Sequence, residues 1–143
     1  MQGRWLTGEK WGFPSYAMCR LCVAFVWLYH GLVPKLLGPH RDELVMNMAL
    51  GLSEEQAIRL ATAAGILEVL VGVSVLACWR QRWPLLLTAV AMPGLLVFVA
   101  VWVPDLLWGA FNPVTTNLCA TALAIVALGQ HNGRGRSGEV SQG

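Results

Sequence analysis

The sequence predicts an all-α fold, an integral membrane bundle of four helices. Three observations carry this. Of 143 residues, 56% are hydrophobic and 13% are charged, against about 25% charged in an ordinary soluble domain. The apolar residues gather into four stretches near the roughly 20 residues that a helix needs to cross a bilayer. Seven tryptophans suit a chain whose helix ends lie at headgroup depth. The length points to one domain. A net charge of +2 without a basic run gives no footing for nucleic acid.

The elements follow in order. Residues 1–15 mix Trp5 and Trp11 with charges and read as an interfacial segment. They show no short apolar core ending in a small-residue cleavage site, so the first helix is expected to be retained. That helix covers residues 16–37. The connection 38–52 carries Leu44, Val45, Met48 and Leu52 near helical spacing. It reads as a short helix on the membrane interface or as an ordinary loop. The second span, 58–79, follows Ser53-Glu54-Glu55-Gln56, which fits a capping box with Ser53 capping and Gln56 reaching back. The third, 84–103, starts on Pro84, whose missing N–H is harmless in a first turn. The fourth, 113–128, starts after Asn112, and Gly129 suits its end. Residues 130–143, rich in Gly, Ser and Arg, are expected to form a disordered cytoplasmic tail.

Four crossings put both termini and the 80–83 connection on one side. That side carries Arg4, Lys10, Arg80, Arg82, Arg134 and Arg136, with Arg20 just inside the first helix. The other carries Lys35, Arg41 and Arg59 among several acids. The excess of positive charge predicts N-in and C-in.

Polar residues at membrane depth mark the candidate site. At 1.5 Å rise per residue, His30 lies roughly 10 Å and Glu68 roughly 12 Å inside the same face. A carboxylate at the bilayer centre costs about 3 kcal/mol or more, so Glu68 must be protonated, paired or solvated. His30 is the partner at matching depth. Lys35 either folds back or snorkels outward as an interface anchor. Pro34 removes the N–H that the His30 carbonyl would accept from, which predicts a bend in WLYHGLVPK, residues 27–35. Glu68 and His30 are the candidate proton-handling pair. Trp27, Tyr29, Lys35, Asn112 and Asn117 are candidate ligand contacts. Each has a plain structural reading: interface or packing aromatics, a satisfied histidine, an interhelical hydrogen bond. Gly65 and Gly72 flank Glu68 and suit close helix packing.

Cys19 and Cys22 share a helical face and invite a redox reading, but membrane cysteines are commonly inert packing residues. The four cysteines lie in or beside apolar segments, unlike a disulfide framework. No metal site is expected, because a second cysteine pair or well-placed histidines are lacking.

The arrangement resembles the DoxX-like family of small four-helix membrane proteins. The resemblance rests on Arg20, on Gly31-Leu32-Val33-Pro34-Lys35-Leu36, and on Ala64, Gly65, Glu68 and Gly72. The Trp-x-Tyr-x-Gly-Leu-x-Pro-Lys form at 27–35 and FNPVTTNL at 111–118 resemble one subgroup. The likeness covers residues 15–129. It implies a bacterial cytoplasmic-membrane protein associated with oxidoreductases, since members include the small membrane subunit associated with thiosulfate:quinone oxidoreductase.

Three functions follow as expectations. The first is a membrane redox subunit that binds a quinone or another small hydrophobic molecule. His30, Glu68, Tyr29 and Lys35 would supply hydrogen bonds and protons, and Trp27 would cover the ring. The sequence shows no clear ligands for haem, an iron–sulfur cluster or flavin, so such a subunit would work with others. The second is a non-catalytic anchor whose basic inner face docks a soluble oxidoreductase. The third is solute or proton transport as a homo-oligomer.

Overall fold

The structure, a computed structural model, describes residues 15–109 and 112–139. Five helices follow one another: α1 (Ser15–Gly31), α2 (Arg41–Met48), α3 (Glu54–Ala77), α4 (Trp83–Trp102) and α5 (Pro113–Glu139). A π-helical turn, Leu32–Leu36, prolongs α1, and a 3-10 turn, Pro104–Trp108, follows α4. Four stretches are long and apolar enough to cross a membrane: Ser15–Leu36, Glu54–Ala77, Trp83–Trp102 and Pro113–His131. This is the all-α, four-span architecture that composition predicts. The interfacial segment expected at residues 1–15 lies, apart from Ser15, outside the described residues.

α1 is the central helix. It buries 39% of its span against 22% for each of the others, and it packs on both α3 and α5, while α4 packs mainly on α5. Val23, Ala24 and Trp27 of α1 meet Val75 of α3, Met92 of α4, and Ala120 and Ala124 of α5 in the core. The outward faces are apolar too: Phe25, Leu67, Val90, Val97 and Val101 are all more than half exposed. Such a surface suits lipid contact and would be a liability in water.

Small residues let α1 and α3 touch backbone to backbone. A Cβ on Gly65 would lie 2.8 Å from the Gly31 carbonyl oxygen and 2.9 Å from Lys35 Cβ. A Cβ on Gly31 would lie 2.7 Å from the Gly65 oxygen. Without side chains at the crossing, the helices approach close enough for dispersion to act over their whole contact.

The ends of the elements follow local rules. Ser53 and Gln56 form the expected capping box, with the Ser53 N–H donating to Gln56 Oε1 (2.9 Å) and the Gln56 N–H to Ser53 Oγ (3.4 Å). It starts α3 at Glu54, four residues before the expected span. The 38–52 connection holds a short helix, α2, with His40 Nδ1 accepting from the Asp42 N–H. At Pro34 the chain widens into the π turn instead of breaking, and the Leu37 N–H donates to the Leu32 carbonyl (2.8 Å). The extra residue absorbs the missing proline donor. Pro93 lies inside α4, and the helix continues through it. α5 runs on past Gly129 to Glu139. A glycine weakens a helix by about 1 kcal/mol without ending it, and no proline follows. Of the tail expected at 130–143, residues 140–143 lie outside the described residues.

One arginine locks the end opposite α2. Arg20 is fully buried. Its guanidinium donates to the carbonyls of Cys78 (3.0 Å), Gln81 (3.2 Å) and Trp79, and to Tyr16 Oη (2.7 Å). The Tyr16 hydroxyl donates in turn to the Trp79 carbonyl (2.9 Å). These carbonyls lie just past the end of α3, where the helix dipole favours a cation. His131 closes the same end: its Nδ1 accepts from Arg82 Nε (3.0 Å) and its Nε2 lies 2.9 Å from the Arg80 carbonyl. The start of α1, the α3–α4 turn and the His131 turn of α5 therefore share one end, so the spans alternate in direction.

Two predictions follow from this packing. Gly65→Ala should lower stability by about 1–3 kcal/mol through overpacking. Gly94→Ala, where an added Cβ meets nothing within 4 Å, should leave it unchanged or slightly higher. Unfolding in detergent reads both. Arg20→Lys keeps the charge but cannot span three carbonyls, and should cost about 1–3 kcal/mol for the acceptors left unpaired. An unchanged melting temperature would show that the fork adds nothing.

Candidate functional site

At the opposite end, three charges from three elements converge. Lys35 sits in the π turn, Glu43 on α2 and Glu68 on α3. Lys35 Nζ lies 2.7 Å from Glu68 Oε1 and 3.3 Å from Glu43 Oε1. The side chains are 9%, 13% and 12% exposed respectively, so the three interact largely out of water. A buried pair needs good geometry to offset its desolvation, and the short Lys35–Glu68 contact supplies it. Glu68 Oε2 is buried and accepts no hydrogen bond among the described residues.

The triad holds two carboxylates for one ammonium. Burial pushes the Glu43 carboxyl above its ordinary range, and the Lys35 ammonium beside it offsets part of that. Glu43 therefore takes up a proton at a higher pH than a free carboxylate. Lys35 has three donors and two carboxylate partners among the described residues, one donor more than those partners take.

Glu68 is paired, one of the three states its depth allows, but its partner is not His30. Lys35 takes that place, because the π turn inserts a residue and turns the following side chains by roughly 100° about the axis. Lys35 accordingly points inward, not outward as an anchor. His30 is half-buried and within electrostatic range of Lys35 and Glu68, but forms no hydrogen bond with either among the described residues. Tyr29 is 50% exposed and tilts against Phe25 at 5.8 Å between ring centroids. It belongs to the outward face.

Three other candidates are committed elsewhere or stand apart. Trp27 is buried, and its Nε1–H donates to Thr88 Oγ1 (2.9 Å), whose hydroxyl donates to the Pro84 carbonyl (2.8 Å). That chain bolts α1 to α4. Asn112 caps α5: its Oδ1 accepts from the Val114 N–H (3.0 Å) and the Thr115 N–H (3.3 Å). Asn117 is buried on α5 and forms no hydrogen bond with the triad among the described residues. Cys19 is buried and Cys22 exposed, and the four cysteines are free thiols.

Residues 24–125 match the DoxX-like family. The chain belongs to the DoxX-like family. No curated protein and no solved structure matches it. The matched stretch of this DoxX-like chain contains Lys35, Glu43 and Glu68 and leaves Arg20 outside. Glu43 is the site residue that sequence reasoning missed. Its signal was present: Arg41-Asp42-Glu43 opens a short amphipathic run, and Glu43 follows Lys35 in the connection directly after the first span.

Removing one member of the pair should be worse than removing both. Lys35→Met leaves Glu68 buried without a cation and should cost about 3–5 kcal/mol. Lys35→Met/Glu68→Leu should recover most of that loss. Equal melting temperatures for the single and double variants would contradict a direct pair.

Proposed function

We propose that this DoxX-like chain is a small membrane subunit of a redox system, binding a quinone or another small hydrophobic molecule beside Lys35 and Glu68. One observation carries the reading: the buried Glu68 Oε2 that accepts no hydrogen bond among the described residues, next to an ammonium with a donor to spare. An unpaired carboxylate oxygen at membrane depth is costly, and a ligand hydroxyl would relieve that cost. The donor set fits a carbonyl or hydroxyl head group. Lys35 would donate to the carbonyl, Glu68 would accept from the hydroxyl, and Glu43 and His30 would hold exchangeable protons nearby. A quinone, when bound, supplies the two-electron chemistry. The chain's own residues hold its head group and manage protons. Tyr29 and Trp27 have no part in this version of the site.

The membrane direction belongs to the same proposal. The Arg20 end carries Arg80 and Arg82, and the positive-inside bias supports reading it as the cytoplasmic end in a bacterial cell. The triad then faces outward.

A second reading has its own support. Among the described residues, Arg80 and Arg82 have no carboxylate partner, and every ion pair lies toward the other end. That basic face, with Arg82 bonded to the neutral ring of His131, suits an anchor for a soluble oxidoreductase with an acidic surface. The Lys35–Glu68 pair would then serve packing alone.

Native mass spectrometry of the protein, gently extracted from its own membrane, separates the two. The site reading expects a bound quinone or similar molecule whose occupancy drops about tenfold or more in Glu68→Gln, as loss of a hydrogen bond to a charged group implies. A stoichiometric protein partner without any small molecule supports the anchor.

A further inference from the structure

The short helix α2 is held unlike the rest of the fold. None of its residues is buried, and Val45 and Met48 are 42% and 45% exposed. It adds no side chain to the hydrophobic core. Polar tethers therefore decide its position. Lys35 Nζ reaches Glu43 at 3.3 Å, and Asn47 Nδ2 donates to the Ala57 carbonyl at the start of α3 (3.1 Å).

Both ends of α2 are glycine joints. Gly38 precedes it with φ +141° and Gly51 follows it with φ +82°. Glycine adopts these angles at little steric cost, and a Cβ at either position would meet nothing within 4 Å. The first joint is spanned by one backbone hydrogen bond, from the His40 N–H to the Pro34 carbonyl (2.8 Å), and at the second the Gly51 N–H donates to the Met48 carbonyl (2.9 Å). A rigid eight-residue helix thus hangs between two permissive residues and is fastened in the middle by an ion bridge.

We propose that α2 is a hinged cover over the Lys35–Glu68 pair, latched shut by the bridge from Glu43 to Lys35. The latch shares its cation with Glu68, the residue read above as the ligand acceptor, so as a control on access the cover rests on that reading. The motion itself needs no ligand. Opening withdraws one of the two carboxylates from Lys35 and leaves the ammonium and the free Glu68 oxygen facing the solvent side. The Lys35–Glu68 contact at 2.7 Å stays, so the bundle beneath does not change.

Loss of the Glu43 charge is the release. The charged groups facing Glu43 are Lys35 from the π turn, Glu68 from α3 and His40 from the turn that begins α2. His30 of α1 faces the other two members of the triad. As pH falls, Glu43 takes up a proton at a pH above the ordinary carboxylate range, and its attraction to Lys35 is then lost. As pH rises, the bridge re-forms and α2 closes.

Hydrogen exchange on the full chain in lipid nanodiscs, with no added ligand, tests the cover. After correction for intrinsic pH dependence, α2 amides should be protected at pH 7.5 and lose protection about tenfold as pH falls toward 5. In Glu43→Gln they should already be unprotected at pH 7.5 and change far less with pH, while α1 and α3 keep full protection. A water-soluble amine acylating reagent gives a second reading, because the chain has two lysines, Lys10 and Lys35. Lys35 labelling relative to Lys10 should rise in Glu43→Gln. The proposal is overturned if α2 protection is the same in both proteins at every pH. It is equally overturned if Glu43→Gln loosens α1 and α3 along with α2, since Glu43 would then stabilise the bundle and latch nothing. A cover that moves over a site that binds no molecule would leave this proposal standing and remove the ligand reading.

Discussion

A carboxylate carried to membrane depth must be protonated, solvated or paired, and in this chain pairing with a cation is the solution that organises the fold. Charge at the bilayer centre costs several kcal/mol when unpaired. Glu68 stands on α3 with apolar neighbours on either side, in AGILEVLVG, residues 64–72. Its cation must come from a helix packed against α3. That helix is α1, and the glycine contact at Gly31 and Gly65 sets the two backbones close enough for Lys35 to reach. Pro34 contributes by forcing the π turn that aims Lys35 inward.

The same two helices are fastened again at the far end. There the partners of Arg20 are carbonyls and a tyrosine hydroxyl instead of a carboxylate. The two solutions differ in what they leave over. Arg20 satisfies the carbonyls just past the end of α3 and is sealed from solvent, with its buried Nε left without a hydrogen-bond partner among the described residues. The triad leaves an unpaired carboxylate oxygen and a spare ammonium donor, next to a helix held by polar contacts. One end of the α1–α3 unit is built for fixity and the other retains chemical capacity. α4 and α5 join this unit through the bolt from Trp27 to Thr88 and through the contacts of His131 with the α3–α4 turn.

Much of this was legible in the sequence, for physical reasons. Span length and apolar content identify the four crossings because lipid imposes both. Ser53 and Gln56 marked the start of α3 because capping is local. The depth of Glu68 followed from rise per residue. The parts that were not legible depend on three dimensions. His30 and Lys35 were both within reach of Glu68 by depth, and which one meets it is decided by the rotation that the π turn introduces. Glu43 belongs to a connection whose helix is not buried, so no strong periodicity exposed its role. Trp27 and Asn112 looked like ligand contacts, but each is used by a neighbour, Thr88 in one case and the first turn of α5 in the other. Gly129 read as a stop although nothing after it prevents the helix from continuing.

The central claim is the direct pair between Lys35 and Glu68. Solid-state NMR on lipid-embedded protein, labelled at Lys Nζ and Glu side-chain carboxyl carbon, measures it without a ligand or a partner. The account predicts a strong dipolar coupling from Lys35 to a carboxyl signal that disappears in Glu68→Gln and persists in Glu43→Gln. No coupling to Glu68, or a coupling between Glu68 and His30 in its place, would contradict it.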